Sequence, residues 1–149
     1  QVVRAATKFF SLPGLRLGYL VSNFKNDIDN HIPTWSVSSL VENLGEDLLL
    51  DEEFIISSKV KLAKSRDKLF SELQKIDGIH PLPSDANYIL IKTDFDNEVL
   101  FQNLLKKGIL VRMCDNYANL GHQYIRVAVK KDEDNEKLLK ALKEEKNGR

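Results

Sequence analysis

Lys8 and Arg16 are the residues of this chain whose types and spacing most readily suggest chemistry. They lie eight residues apart in TKFFSLPGLRLGYL, residues 7–20, where apolar segments flank a Pro13-Gly14 pair. A lysine amine that is partly stripped of water holds its proton less tightly and becomes a nucleophile towards carbonyl carbons. An arginine guanidinium grips a phosphate or carboxylate through two parallel hydrogen bonds. Together the two cations suggest a site for an aldehyde that carries a phosphate.

Each cation also has an ordinary structural interpretation. Lys8 can be a solvated lysine at the end of a strand, but its position between VVRAAT and FF predicts an amine with little access to water outside a cleft. Arg16 can be a surface arginine whose stem covers apolar neighbours. Gly14 and Gly18 stand on either side of Arg16 and would let backbone and ligand approach closely.

The segment around these two cations is predicted to fold as strand, loop and strand. VVRAAT and LRLGYLVS are short apolar runs, and Pro13-Gly14 between them suits the central positions of a type II turn. The polar stretch NFKNDIDNHIPTW that follows reads as a connector. Two strands alone are marginal in water, so residues 1–22 are predicted to belong to a larger sheet.

The remainder of the chain predicts an α+β unit with its own core. A helix begins at Ser36 or Ser38, and a longer one is capped by Asp51 and ends at Asp77-Gly78. Three strands follow, NYILIKT, ILVRMC and YIRVAVK, with helices in DNEVLFQNLLKKG and DEDNEKLLKALKEEK and a loop in HPLPSDA. The pattern therefore indicates a three-stranded sheet with helices packed on it.

Composition narrows the range of partners. The chain has 149 residues, with 22 Lys plus Arg against 22 Asp plus Glu, so it has no basic surplus for nucleic acid or for an anionic membrane. The three histidines show no metal-ligand spacing, and Cys114 has no second cysteine to pair with. We therefore expect no metal, no nucleic-acid or membrane partner and a cytoplasmic location. The start at Gln1 reads as part of a longer protein, or alternatively as a processed start.

TKFFSLPGLRLGYL resembles the lysine segment of the fold-type I pyridoxal-phosphate enzymes, the aminotransferase class I and II superfamily. The resemblance implies that Lys8 holds pyridoxal 5'-phosphate as a Schiff base and that Arg16 binds the cofactor phosphate. Three residues before the lysine the family usually has Ser or Thr, whose hydroxyl bonds that phosphate, whereas this chain has Ala5. Thr7 is a candidate replacement, although alternation along a strand predicts that it faces away from Lys8.

The carboxyl-terminal segments are similar to the same superfamily in order and spacing. In GILVRMCDNYANLGHQYIRVAVK the resemblance implies that Arg126 binds the substrate α-carboxylate. With Arg112 as a second arginine, the resemblance implies the branch of the superfamily that comprises histidinol-phosphate aminotransferase and threonine-phosphate decarboxylase, the latter a cobalamin-pathway enzyme. In that branch the earlier arginine helps to bind the substrate phosphate. The structural alternatives are a strand arginine paired with an acid at Arg126 and a surface residue at Arg112.

The resemblance covers the whole chain but only the carboxyl-terminal part of the family's chain. It implies that residues 1–35 are the end of the cofactor-binding large domain, with the last strands of its parallel sheet, and that 36–149 are the small substrate domain. The partners it implies are a small amino-acid substrate, the missing amino-terminal large domain and a second copy in a homodimer. Transamination and decarboxylation both stay open. The competing interpretation is a non-catalytic α+β module that binds or assembles and is inactive alone.

Overall fold

The computed structural model describes residues 1–147, and the chain divides into two compact units, Gln1–Ile56 and Ser57–Arg149. This division falls later than the boundary predicted between residues 1–35 and 36–149. The last two residues of the predicted second domain, 148 and 149, lie outside the described part. The predicted boundary separates the family's large and small domains, and in that sense it stays a prediction.

The first unit opens with a two-stranded antiparallel sheet. Strand β1 (Val2–Ala5) leads into a single helical turn, α1 (Ala6–Phe9), and pairs with β2 (Gly18–Val21). The register runs from Val2 opposite Val21 to Ala5 opposite Gly18. The two strands therefore pair antiparallel with each other, and their place in the large domain's parallel sheet, which the resemblance implies, stays a prediction. All eight strand residues are exposed.

The connection between β1 and β2 differs from the predicted type II turn. Pro13–Leu15 forms a short 3-10 helix, in which Pro13 supplies its fixed φ at the first position. The left-handed residues of the connection are Ser11 and Arg16, each with φ of 55°, rather than Gly14. The prediction was wrong because the chain reverses through two left-handed residues that carry side chains, a geometry that Pro-Gly does not signal.

Two helices complete the first unit before the division. Helix α2 (Lys25–Asp29) lies in the stretch predicted as a connector. Helix α3 (Ser39–Leu50) begins as predicted, since the Ser38 Oγ accepts a hydrogen bond from the Val41 N–H at 3.4 Å. Val41 and Gly45 form the buried face of α3, and an added Cβ at Gly45 would lie 3.8 Å from Leu17.

Helix α4 (Glu52–Leu73) carries the chain across the division between the units. Its predicted cap is confirmed, because the Asp51 Oδ1 accepts a hydrogen bond from the Phe54 N–H at 2.9 Å. Leu69 and Leu73 are its buried residues. The turn after it contains Gly78 with φ of 77°, the left-handed conformation expected of a glycine after a helix.

The second unit is built on a four-stranded antiparallel sheet in the order β3-β4-β6-β5. The strands are β3 (Ile79–Pro81), β4 (Tyr88–Thr93), β5 (Arg112–Met113) and β6 (Tyr124–Ala128). The predicted three-stranded sheet therefore lacked β3, which lies where a loop was expected. A proline run argues against a central strand, but β3 is an edge strand, where Pro81 needs no ladder hydrogen bond on its open side.

One face of this sheet forms the core and the other stays open within the unit. Helices α4, α5 (Asn97–Lys106) and α6 (Asp132–Asn147) contribute to a single apolar cluster with the inward side chains of the strands. Among these inward side chains, Ile89, Ile91 and Ile125 are fully buried. The α+β fold class is thus confirmed, and the arginines of β5 and β6 lie among the outward side chains.

Candidate functional site

A cavity of about 770 Å³ lies in the first unit, beside the β1–β2 hairpin. Its lining includes two guanidinium groups, from Arg4 and Arg16, and the hydroxyl-bearing Thr7. Apolar side chains such as Leu17 and Val41 form other parts of the wall. Two arginines and a hydroxyl around one cavity are donors suited to a phosphate group. Arg4 was missed by the sequence reasoning, although it lies only four residues before Lys8.

The position of Arg16 is set by the turn that precedes it. Its backbone is left-handed, with φ of 55°, and its Nη1 donates a hydrogen bond to the Pro13 carbonyl at 3.2 Å. The side chain is exposed and keeps its remaining N–H groups for a ligand. A non-glycine residue in this conformation is uncommon and is held by its surroundings.

Lys8 lies in α1 and is exposed, so the expected withdrawal of its amine from water is not present in the described chain. The strand residues before and after it are exposed as well, so this part of the chain provides no apolar enclosure for the amine. Lys8 is also outside the lining of the cavity that Arg16 shares with Thr7. Its role as the cofactor lysine stays a prediction.

The expectation about Thr7 rested on strand alternation, which does not apply here. The strand ends at Ala5, and Thr7 lies in the helical turn that follows. Ala5 and Thr7 both line the cavity with Arg16, so a hydroxyl is available where Ala5 supplies none. The donor chemistry of this cavity therefore fits the phosphate of pyridoxal 5'-phosphate, with Arg16 and Thr7 as the residues that would hold it.

Arg112 and Arg126 are brought together by the sheet of the second unit. They are direct cross-strand partners in the β5–β6 pairing, although fourteen residues separate them in sequence. Side chains opposite each other in such a pair have Cβ atoms about 5 Å apart and share one face. No carboxylate oxygen lies within 4.0 Å of either guanidinium in the described part of the chain. The acid partner considered for Arg126 is therefore not found there.

Aromatic rings and an amide contact these arginines instead. The guanidinium carbon of Arg126 lies 4.6 Å from the centroid of the Tyr88 ring, which belongs to the adjacent strand β4. That of Arg112 lies 6.0 Å from the Tyr117 ring, and its Nη2 donates to the Asn116 Oδ1 at 3.5 Å. Stacking leaves the N–H groups at the rim of a guanidinium free to bind an anion.

The thiol of Cys114 is buried and lies within the electrostatic influence of the two arginines. Burial raises the pKa of this thiol, while the charges of Arg126 and Arg112 oppose the rise. The side chain is 1% exposed and its Sγ lies 3.7 Å from the Arg112 carbonyl oxygen. Cys114 therefore serves as a neutral packing residue under this part of the sheet.

A buried polar chain fixes the loop between the two arginine strands. Asn97 is 3% exposed; its Oδ1 accepts a hydrogen bond from the Thr93 hydroxyl, and its Nδ2 donates to the His122 carbonyl at 2.7 Å. The loop also closes on itself through the Cys114 N–H, which donates to the Tyr124 carbonyl at 3.1 Å. The sequence reasoning missed this anchor, since an asparagine at a helix start usually suggests only a cap.

Two negative findings concern residues 1–147. They contain no group of three or more His, Cys, Asp or Glu side chains placed to hold a metal ion. They also contain no helix that combines the length and the apolar character needed to cross a bilayer.

The sequence model of one protein family, described as aminotransferase class I and II, matches residues 1–142. The chain therefore belongs to this family of pyridoxal-phosphate-dependent aminotransferases and decarboxylases.

Its relatives include threonine-phosphate decarboxylase of Salmonella typhimurium, 34% identical over 95% of this chain and 40% of the relative. Histidinol-phosphate aminotransferase of Methanocaldococcus jannaschii is 36% identical over 96% of this chain and 39% of the relative. The crystal structure of the histidinol-phosphate aminotransferase from Clostridium acetobutylicum superimposes with a TM-score of 0.92 at 33% identity, covering 99% of this chain and 46% of that one. The chain thus spans about 40% of the length of these two curated relatives.

Proposed function

We propose that this chain is the carboxyl-terminal part of a pyridoxal-phosphate-dependent enzyme that acts on a phosphorylated amino acid or its amine analogue. The two candidate reactions are decarboxylation of threonine phosphate and transamination of histidinol phosphate, each known here from the name of a relative. The whole protein would comprise an amino-terminal large domain and would form a homodimer. We further propose a cytoplasmic location, in keeping with the single, unpaired Cys114.

The residues of the first unit would hold the cofactor. Lys8 would bind it covalently through the ε-amine and, once displaced by the substrate amine, would carry a proton to or from the substrate Cα. Arg16 would hold the cofactor phosphate, with the Thr7 hydroxyl as a second donor in the same cavity. When bound, pyridoxal phosphate supplies the electron sink that makes cleavage at Cα possible.

The residues of the second unit would hold the substrate. Arg126 would grip the α-carboxylate and so help to decide which Cα bond is aligned for cleavage, and Arg112 would bind the substrate phosphate. The observation that carries this assignment is the direct cross-strand pairing of two arginines that have no carboxylate partner in residues 1–147. Like charges placed opposite each other are unfavourable, and a doubly anionic ligand offsets that cost.

A titration followed by NMR tests this assignment on the chain itself. The Nε–H signals of Arg112 and Arg126 are followed while O-phospho-L-threonine, which carries both anions, or L-histidinol phosphate, which has no carboxylate, is added. We expect phosphothreonine to shift both signals and histidinol phosphate to shift that of Arg112 more strongly. Arg112→Gln and Arg126→Gln are the matched variants, followed through the backbone amide signals of strands β5 and β6, and each should lose the ligand-induced shifts around the replaced residue. If neither ligand moves either signal, the substrate role of both arginines is refuted.

The second candidate is a non-catalytic α+β module that assembles with other chains. The exposed hairpin favours it, since Val3 is 81% and Val21 60% exposed on strands with unpaired edges. Both candidates predict that residues 1–22 pair with another segment or exchange their amide hydrogens rapidly. Strong protection of β1 and β2 in a monomer would contradict both. Activity of the whole protein that is lost in Lys8→Ala would exclude the non-catalytic module.

A further inference from the structure

Tyr88 has a geometry that suits it to orient a charged neighbour. It begins strand β4 opposite Ala128, two residues along from Leu90, which is the cross-strand partner of Arg126. Tyr88 and Arg126 therefore lie on the same face in diagonal positions, within reach for long side chains. The guanidinium carbon lies 4.6 Å from the ring centroid, well inside the distance of about 6 Å at which a cation and a ring attract.

The contact between Tyr88 and Arg126 matters because it takes the place of a carboxylate partner. A carboxylate is the usual fixed partner of a half-buried arginine, yet none lies within 4.0 Å in the described residues. A carboxylate would occupy the donors that an incoming anion needs and would neutralise the charge. An aromatic face restrains the plane of the guanidinium and leaves its charge and its rim donors in place.

We propose that Tyr88 is a positioning residue for Arg126, holding the guanidinium in the orientation that receives a carboxylate. This inference rests on the proposed carboxylate-binding role of Arg126. It assigns the effect to the ring face and not to the phenol hydroxyl. Tyr88 is 39% exposed at the start of its strand, so its replacement removes little from the core.

Two variants of Tyr88 separate the ring from the hydroxyl. Tyr88→Phe keeps the stacking face, whereas Tyr88→Leu keeps an apolar side chain of strand-compatible shape and removes the ring. The probe is sodium acetate, which carries a carboxylate alone. Its binding is followed in every variant by the backbone amide signals of strand β6, and by the Arg126 Nε–H resonance where Arg126 is present. We expect Tyr88→Leu to weaken acetate binding by about twofold to fivefold, the range of an exposed cation–π contact. Tyr88→Phe should bind acetate as the unaltered chain does.

A second measurement reads the positioning directly and needs no ligand. The {1H}–15N heteronuclear NOE of the Arg126 Nε–H should fall in Tyr88→Leu and stay unchanged in Tyr88→Phe. A role of Tyr88 in folding alone would lower the stability of Tyr88→Leu but leave both the NOE and the acetate affinity unchanged. That outcome overturns the inference, as does an equal effect of the two variants.

Arg126→Gln distinguishes failure of the inference from failure of the proposed function. If acetate binds with equal affinity in Arg126→Gln, the carboxylate-binding role is wrong and the inference falls with it. If Arg126→Gln abolishes binding while Tyr88→Leu binds acetate like the unaltered chain, Arg126 keeps its role and only the inference fails. Loss of binding in Arg126→Gln, together with weaker binding and a lower NOE in Tyr88→Leu, supports both.

Discussion

Replacing Asn97 by alanine should destabilise the second unit by more than the loss of one hydrogen bond, because the Asn97 side chain takes part in two. The change removes the donor to the His122 carbonyl, a bond of 2.7 Å, and the acceptor of the Thr93 hydroxyl. Thr93 is 2% exposed, and its other acceptor, the Phe95 carbonyl, lies at 3.5 Å, so its hydroxyl keeps only a long hydrogen bond. A buried polar group without a good partner costs about 1–3 kcal/mol. We therefore expect the free energy of unfolding to fall by about 2–3 kcal/mol.

Urea denaturation followed by circular dichroism measures this change as a lower midpoint with an unchanged slope. Thr93→Ser is the matched control within the network, since it keeps the hydroxyl and should lose about 1 kcal/mol or less. Gln102→Ala, on the exposed side of the same helix, should change stability by no more than about 0.5 kcal/mol. If Asn97→Ala loses no more than Gln102→Ala, the buried polar chain does not anchor the loop and the reasoning is refuted.

Three further predictions concern the hairpin, an ion pair and the lysine. Gly18→Ala would place its Cβ 3.0 Å from the Arg4 carbonyl oxygen and should weaken the cross-strand NOEs between β1 and β2. In the control Gly14→Ala the added Cβ meets nothing within 4 Å, so these NOEs should stay unchanged. Burial favours the protonated form of Glu145, but hydrogen bonds from Lys107 and Asn103 outweigh it and lower the pKa of the carboxyl below its ordinary 4.5. This contribution to stability is present above about pH 4.5 and is lost as the pH falls through the lowered pKa, and Glu145→Gln should remove that part of the pH dependence in urea titrations. With added pyridoxal phosphate and borohydride, the chain alone should form no reduced adduct at Lys8 detectable by mass spectrometry; a stoichiometric adduct would show that this chain suffices for cofactor attachment.

Local patterns in the sequence predicted the starts of the longer helices well, and most of the strands of the second unit. The caps at Ser38 and Asp51 need only a side-chain oxygen three residues before a free N–H, so they could be identified from spacing. Strand β3 was missed because a proline in a short polar stretch favours a loop until its position at a sheet edge is known. The turn at residues 11–16 was missed because Ser11 and Arg16, rather than a glycine, take the left-handed conformation.

The candidate site was predictable in its residue types but not in its arrangement. The arginines at 112 and 126 could be singled out by sequence, yet their direct opposition depends on the register of a two-residue strand. Their contacts with Tyr88 and Tyr117 are set by cross-strand and loop geometry that no spacing rule contains. The exposure of Lys8 could not be predicted, because it depends on the helical turn α1 and on the exposed strands on either side of that turn and not on the apolar residues next to it in sequence.

The opposition of Arg112 and Arg126 has a consequence for how this protein responds to inert electrolyte. The two side chains start from Cβ atoms about 5 Å apart, so their like charges repel each other in the unliganded chain, and the screening length of about 8 Å at physiological ionic strength shields them only in part. Potassium chloride should therefore raise the melting temperature of the empty chain while it weakens the capture of a dianion. Added salt should thus raise the thermal stability of the chain and lower its affinity for a dianion.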